Sequence, residues 1–189
     1  WGLIHSVLPL QEGYGQPKQG RLCIGIETEI TRVNKTKVEV RYQQAKYAQH
    51  IVEKFQNDHG VELHPISTPI TKNHGLTKEE AKQPGFWAAH ASSLVQSIAY
   101  LCHTRVDLLT AVRFMQRYVG PGRWNRECDE VLLRTMRYLS GTVDYGLTNT
   151  IVQDDELGID LWTDSDLGSC KATRKSQSGC ILKVTGKKG

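Results

Sequence analysis

The chain has 189 residues, of which 39% are hydrophobic and 23% are charged, and these are ordinary proportions for a folded protein. They argue against disorder along the whole chain, and the length allows one domain or two small ones. Lys and Arg total 24 against 20 Asp and Glu, giving a net charge of +4. That mild excess permits a nucleic-acid partner without requiring one.

Cysteine usage and hydropathy indicate the cellular compartment of the protein. The five cysteines are widely spaced and none belongs to a C-x-x-C pair, which argues against a disulfide scaffold or a zinc ribbon. Reduced thiols predict an intracellular protein, cytoplasmic or nuclear. No apolar run approaches the roughly 18 residues of a membrane span, so no membrane partner is expected. The chain begins with Trp and ends directly after a strand-like run, so it is predicted to be a fragment.

The N-terminal quarter of the chain contains a lead-in, a hairpin and a helix. Residues 1–20 carry four glycines and two prolines and predict an irregular lead-in. Apolar and polar residues alternate over residues 22–30 and again over 38–42, which predicts two paired strands. From residue 43 to 57 the apolar spacing becomes helical, and His59-Gly60 is a suitable end for that helix.

The middle of the chain predicts a connector and a layer of helices. Residues 61–85 contain three prolines and two glycines and show little periodicity. Three apolar stripes at helical spacing follow, over residues 94–101, 108–119 and 128–139. We interpret these stripes as core faces of a helical layer rather than as a cofactor site.

The C-terminal segment returns to strand character. Alternating residues predict strands over 157–163 and 180–184, separated by a polar loop. Acidic residues collect before and inside this loop, and basic residues follow, so an acidic patch adjoins a basic one. We place a domain boundary at about residue 150.

One motif in this segment suggests chemistry. The strand at Trp162 and Thr163 runs directly into Asp164, Ser165 and Asp166. Enzymes of phosphoryl transfer fix carboxylates on rigid elements, because the carboxylates hold the divalent metal that clamps the reacting oxygens. The alternative is that an Asp at this position simply starts a turn.

The loop that follows is basic and contains serines. It predicts contacts to a phosphate backbone through Lys171, Arg174 and Lys175. The alternative is a solvated loop with no ligand. No glycine-rich phosphate loop is present, and no His or Cys has a local partner at the spacing of a metal site or an activated nucleophile.

The order of these segments resembles the Pol polyprotein of copia-type LTR retrotransposons, at the join of reverse transcriptase and ribonuclease H. The resemblance rests on six motifs in one order. The family's F-L-G-I-E corresponds to LCIGIE at residues 22–27, its Q-x-K-Y to QAKY at 44–47, and its P-x-S-T-P to PISTP at 65–69. Its Y-L-x-x-T-R-P-D-I corresponds to YLCHTRVDL at 100–108, its R-Y-L-x-G-T-x-x-Y-G-L to RYLSGTVDYGL at 137–147, and its D-A-D-W-A-G with R-K-S-x-S-G to DSDLG at 164–168 with RKSQSG at 174–179. Among the departures, Val106 replaces a proline and Leu167 replaces a tryptophan of the family pattern.

The resemblance implies an α+β fold in two regions. Residues 21–150 correspond to the reverse transcriptase C-terminal part, a helical thumb or connection region with a β-hairpin. Residues 155–189 correspond to the first strands of an incomplete RNase H-like α/β domain. In this family the first Asp of the strand-end motif binds catalytic metal, which implies a catalytic, Mg²⁺-binding role for Asp164 with Asp166 as a neighbour. The polymerase Y-x-D-D motif is expected upstream and the other carboxylates downstream, so the fragment is expected to be inactive alone.

The implied activities of the intact parent are RNA-directed DNA synthesis and cleavage of RNA in RNA–DNA hybrids. The implied partners are such a hybrid and the remainder of the polyprotein. The helical part is expected to contact the hybrid backbone through the candidate residues Arg113, Arg117, Arg123, Arg126, Arg134 and Arg137. The alternatives are a non-catalytic nucleic-acid-binding module or relic, and a structural domain whose arginines are ordinary surface charge.

Overall fold

The computed structural model describes residues 21–71, 77–168 and 176–187. The predicted lead-in over residues 1–20 and the basic part of the predicted phosphate loop lie outside the described residues. The described chain mixes helices and strands, which agrees with the predicted α+β class. None of its helices is long and apolar enough to cross a membrane.

Four strands pair in the order β1-β2-β3-β4. Their bounds are Arg21–Cys23 for β1, Ile26–Arg32 for β2, Lys37–Gln43 for β3 and Gly146–Val152 for β4. The predicted hairpin of two strands is therefore part of a larger sheet, because β4 returns from more than one hundred residues away to lie beside β3.

The prediction of one continuous strand over residues 22–30 is wrong. The chain reverses at Ile24 and Gly25, whose φ values are 50° and 70°. Cys23 and Ile26 face each other across this two-residue turn. Two successive positive φ values are the geometry of a type I′ hairpin turn. The alternating pattern missed the turn because it continues unbroken through these residues.

The helix predicted after the hairpin is confirmed. Helix α1 spans Ala45–His59 and buries Ile51, Val52 and Phe55. It ends where Gly60 takes a left-handed φ of 61°, and the Gly60 N–H donates to the carbonyl of Gln56. Glycine adopts this conformation without a Cβ penalty, so His59-Gly60 ends the helix as predicted.

The three apolar stripes lie on three helices, as predicted, although the second helix ends at Gln116, before the end of its predicted stripe at residue 119. After the short helix α2 (Lys78–Ala81) come α3 (Ala91–Leu101), α4 (Leu109–Gln116) and α5 (Arg126–Ser140). A 3₁₀ turn over Val106–Leu108 leads into α4. The fully buried side chains include Val95, Ile98, Met115, Leu132 and Leu139.

The C-terminal hairpin is also confirmed and is longer than predicted. Strands β5 (Leu157–Asp166) and β6 (Gln177–Gly186) pair antiparallel along their whole length. Directly opposed residues share a face, so one face of the hairpin is apolar. The side chains that line this face are between 59% and 71% exposed, and they are Leu157, Ile159, Leu161, Leu182 and Val184.

The described residues form two compact units. Residues 21–29 and 42–147 make up the first unit, and residues 30–41 and 148–187 make up the second. The helices and their core belong to the first unit, and the β5–β6 hairpin belongs to the second. The assignment of regions 21–150 and 155–189 to two polyprotein domains stays a prediction.

A buried carboxylate fastens the loop before α3 to the start of α5. The Asp129 side chain is buried and accepts hydrogen bonds from the backbone N–H of Phe86 at 2.6 Å and of Trp87 at 3.3 Å. It also accepts one from the Trp124 indole N–H at 2.7 Å. Three donors satisfy a carboxylate that would otherwise be costly to bury.

We expect Gly85→Ala to lower the free energy of unfolding of the helical unit by about 1–3 kcal/mol, the usual cost of overpacking. An added Cβ would lie 2.5 Å from Trp124 Cδ1 and 2.7 Å from the carbonyl oxygen of Asn125. Urea unfolding followed by far-UV circular dichroism measures the change. Gly179→Ala is the control, because nothing lies within 4 Å of a Cβ at that position. Equal stability of Gly85→Ala and the wild type would contradict this packing.

Candidate functional site

A buried arginine connects two of the family-like motifs. Arg105 follows α3, and its side chain is 2% exposed. Its Nη1 donates to the Thr142 carbonyl oxygen at 2.6 Å, and its Nη2 donates to the Thr142 hydroxyl at 2.8 Å. The Nε and Nη2 groups also donate to the Asp107 carboxylate at 3.0 and 2.8 Å. The guanidinium therefore ties the segment between α3 and α4 to the chain just after α5.

Two aromatic residues complete this cluster. The Tyr138 hydroxyl donates to Asp107 Oδ2 at 2.8 Å. The Arg105 guanidinium lies 5.5 Å from the ring centre of Tyr138 and 5.3 Å from that of Tyr145. Cation–π contacts of this kind add to the charge-assisted hydrogen bonds.

The cluster also sets the ionisation of its acids. Burial raises the pKa of Asp107, but the hydrogen bonds from Arg105 and Tyr138 outweigh burial and leave that pKa below its ordinary value. The pKa of Tyr138 is raised by burial and by its hydrogen bond to the Asp107 carboxylate. The lowered pKa keeps Asp107 an anion beside the Arg105 guanidinium.

Sequence reasoning assigned no role to Arg105, Asp107 or Thr142, although all three lie in the quoted motifs. The signal was the pair of charged residues, Arg105 and Asp107, inside a motif that lies between two predicted apolar helices. A charge buried at such a place needs a hydrogen-bond partner. What the sequence did not reveal is that the partner of Arg105 lies 37 residues away at Thr142.

Helix α5 carries three arginines on one side. Arg126, Arg134 and Arg137 fall within an arc of about 80° at 3.6 residues per turn, and we call them the arginine stripe. Arg134 Nη2 donates to the Thr68 hydroxyl at 2.7 Å. In each of the three residues Nε is buried and has no hydrogen-bond partner in the described part of the chain.

The other predicted backbone contacts are dispersed. Arg113 is exposed in the last turn of α4, and Arg117 is exposed just after that helix. Arg123 Nη2 donates to the carbonyl oxygen of Val119. Lys171, Arg174 and Lys175 lie outside the described residues, so their role stays a prediction.

The predicted metal carboxylate lies on the C-terminal hairpin. Asp164 is exposed on β5 and faces Gly179 of β6. It lines a shallow cavity of about 330 Å³ whose other lining residues are Thr163, Ser165, Ser178, Gly179 and Cys180. Asp160 shares its strand face but is about 13 Å away at ~3.3 Å per residue, and it accepts a hydrogen bond from Thr185.

These residues do not fit a Mg²⁺ site by themselves. Within residues 21–71, 77–168 and 176–187, no three His, Cys, Asp or Glu side chains come together in a way that could hold a metal ion. Two-metal hydrolysis needs several carboxylates around its ions. Asp164 therefore supplies a single carboxylate.

We expect Asp107→Asn to lower the free energy of unfolding by about 2 kcal/mol near neutral pH, because it leaves the buried Arg105 cation without its anion. That value lies below the usual cost for a fully buried pair, since Asp107 is 35% exposed. Because the folded-state pKa of Asp107 is depressed, its stabilisation is complete above the unfolded pKa of about 3.9 and is lost as the pH falls through the folded pKa. The difference between the variant and the wild type should therefore shrink at acidic pH.

Chemical denaturation across a pH series measures both effects. Tyr138→Phe removes one hydrogen bond and keeps the ion pair, so it should cost about 1 kcal/mol. A stability gap for Asp107→Asn that stays constant down to strongly acidic pH would contradict the ionised pair.

Comparison with known proteins adds two relatives. The chain is 31% identical over 137 residues to an uncharacterized mitochondrial protein of Arabidopsis thaliana, a match that covers 72% of this chain and 53% of that protein. It is 29% identical over 122 residues to a retrovirus-related Pol polyprotein from transposon RE2 of the same plant, covering 62% of this chain and 8% of the polyprotein. The chain thus spans about half the length of the first relative. No family model matches the chain, and no solved structure matches it. The similarity to the second relative supports an origin in a retrotransposon Pol polyprotein.

Proposed function

We propose that the chain belongs to the reverse transcriptase and ribonuclease H region of a copia-type Pol polyprotein, and that its helical unit binds the backbone of an RNA–DNA hybrid. Similarity to the polyprotein from transposon RE2 supports the first part of this proposal. The observation that carries the second part is the arginine stripe of α5, with its three unpartnered Nε groups.

The unpartnered Nε groups favour an anionic ligand. A buried N–H without an acceptor costs about 1–3 kcal/mol, whereas the N–H groups of an ordinary surface arginine are hydrated. A phosphate that draws the Arg134 or Arg137 side chain outward would replace an unpartnered N–H with a charge-assisted hydrogen bond. Arginine suits this exchange because its planar guanidinium binds phosphate through two N–H groups at once.

The length of the stripe fits a nucleic-acid strand. Arg126 and Arg137 are 11 residues apart, which is about 16 Å along a helix. A strand with one phosphate per roughly 3.4 Å of axis presents about five phosphates over that length. Contacts of this kind fix position and do not read bases, so the binding would be independent of sequence. Arg113, Arg117, Lys171, Arg174 and Lys175 are proposed as further backbone contacts.

Asp164 is proposed as the first metal-binding carboxylate of the ribonuclease H site in the intact parent. Its cross-strand partner Gly179 has no side chain, and nothing lies within 4 Å of the position of a Cβ there. That opening leaves room beside the carboxylate. The other carboxylates of such a site would come from elsewhere in the parent. The alternative, a non-catalytic nucleic-acid-binding module or relic of such an element, predicts the same binding by this chain.

We expect the double variant Arg134→Gln and Arg137→Gln to bind a blunt RNA–DNA hybrid at least tenfold more weakly at low salt. Its affinity should also depend less steeply on salt, with a slope lower by about 2 because two phosphate contacts are lost. Fluorescence anisotropy at several salt concentrations measures both quantities. Arg137→Lys keeps the charge but loses the bidentate geometry, so it should weaken binding while leaving the slope nearly unchanged.

The matched control removes the same charge from the other unit. Arg32 and Lys35 are exposed residues at the end of β2 and in the loop after it. Replacing both with Gln should change hybrid affinity much less than the α5 double variant does. Equal losses in the two double variants would show that net charge, and not the arginine stripe, drives binding.

We expect no Mg²⁺-dependent cleavage of a hybrid by this chain, because a single carboxylate cannot hold the metals of the reaction. Asp164→Asn should bind the hybrid as the wild type does. Gel analysis of a labelled RNA strand, with and without Mg²⁺, tests this expectation. Cleavage by the wild type that Asp164→Asn abolishes would show that the chain builds a complete catalytic site.

A further inference from the structure

The fold holds a large aromatic side chain out in solvent. Phe86 is 75% exposed, yet its backbone N–H donates to the buried Asp129 carboxylate at 2.6 Å. The preceding residues form an antiparallel bridge between Pro84 and Asn125, and the Gly85 N–H donates to the Trp124 carbonyl oxygen. The loop is therefore fixed at the Phe86 backbone, and packing within the unit does not explain why its side chain is an exposed aromatic ring.

A cation from the arginine stripe lies over one face of the ring. The Arg126 guanidinium lies 4.5 Å from the ring centre of Phe86. The backbone N–H of Arg126 donates to the Gln83 carbonyl oxygen at 2.9 Å, so the backbones on both sides of this stack are held in place. The stack is thus arranged in advance of any ligand.

Glu80, an acid of α2 that is close to Arg126, is engaged elsewhere. The pKa of Glu80 lies below its ordinary value, chiefly because Thr77 donates hydrogen bonds to it and also because Arg126 is close. The Glu80 carboxylate accepts from the Thr77 N–H at 2.9 Å and from its hydroxyl at 2.8 Å, which completes the capping box of α2. Arg126 forms no ion pair with an Asp or Glu in the described part of the chain.

We propose that Phe86 and Arg126 form a stacking site for an unpaired nucleobase of a nucleic-acid strand whose phosphates lie along the arginine stripe. This inference rests on the proposed nucleic-acid binding and adds a second type of contact to it. Bases of any sequence stack on aromatic rings and on guanidinium planes, so the site would be tolerant of sequence. A purely apolar protein partner is disfavoured, because it would bury the Arg126 cation without an anion.

The positions along α5 agree with this arrangement. Arg126 begins the helix and Arg134 follows eight residues later, which is about 12 Å along the axis. A base on the Phe86 ring would therefore lie at one end of the stripe, and the connected phosphates would extend toward Arg134 and Arg137. An unpaired base and its backbone can bind in this way at the same time.

The test compares two single-stranded DNA oligonucleotides of equal length, one ordinary and one with abasic sugars at its central positions. Both carry the same phosphates, so a difference in affinity reports the bases. By fluorescence anisotropy, the wild type should bind the ordinary strand roughly tenfold more tightly. Phe86→Leu should reduce that ratio to about one, and Phe86→Trp should preserve it. Trp162→Leu is the matched control and should preserve the ratio, since Trp162 is an exposed aromatic residue on the other unit.

The wild-type result and the Phe86→Leu result each test the stacking site. A wild type that binds the two strands equally, or a Phe86→Leu variant that still discriminates between them, overturns the stacking site. A blunt RNA–DNA hybrid, which offers no unpaired base, tests the proposed function separately, and Phe86→Leu should bind it as the wild type does. If the hybrid does not bind while discrimination through Phe86 persists, the hybrid-binding function falls and the stacking site stands. Circular dichroism of Phe86→Leu should match the wild type, because the exposed ring contributes little to the core.

Discussion

A half-buried ion pair joins distant parts of the helical unit. Removing a guanidinium from water is costly, and the cost is offset only when geometry is good and the remaining donors are satisfied. Arg105 meets this condition through the Asp107 carboxylate, the Thr142 carbonyl and hydroxyl, and the rings of Tyr138 and Tyr145. Because these groups come from before α4 and from the end of α5, the pair joins parts of the layer that are distant in sequence. Removal of either charge would leave the other unpaired.

A second buried charge acts at the opposite end of α5. Asp129 lies in the first turn and is held by three N–H donors from the loop before α3 and from Trp124. The helix is thus anchored near its start by a carboxylate and near its end by a guanidinium. Two anchors and a buried apolar face fix its rotation about its own axis. The side of α5 that carries the arginine stripe, and with it the proposed phosphate contacts, follows from that rotation.

The hairpin unit is organised differently. Strands β5 and β6 pair along ten residues each, but their apolar face carries Leu157, Ile159 and Leu161 in solvent. A two-stranded hairpin has marginal stability in water unless its apolar face is covered. The proposed ribonuclease H role would explain both the exposed apolar face and the isolated Asp164. Further strands of the parent would cover that face and would supply the other carboxylates.

Much of the local structure was predictable from the sequence. The 3.6-residue period located α3, α4 and α5 and their buried stripes, Gly60 marked the end of α1, and alternation located the strands over 157–163 and 180–184. Periodicity succeeds in these places because it reports which residues of one element share a face.

Other features were decided only by the tertiary structure. The turn at Ile24 and Gly25 interrupts an unbroken alternating pattern, the partner of Arg105 lies 37 residues away, and the exposure of Phe86 follows from hydrogen bonds that its backbone and its neighbours make to distant residues. The sequence by itself determined where α1, α3, α4, α5 and most strands lie, which side of each is apolar, and the motifs that resemble a Pol polyprotein. Only the tertiary structure decided which residues of different elements become partners. A buried charge takes the partner that packing brings within hydrogen-bond distance, and spacing along the chain does not encode that distance.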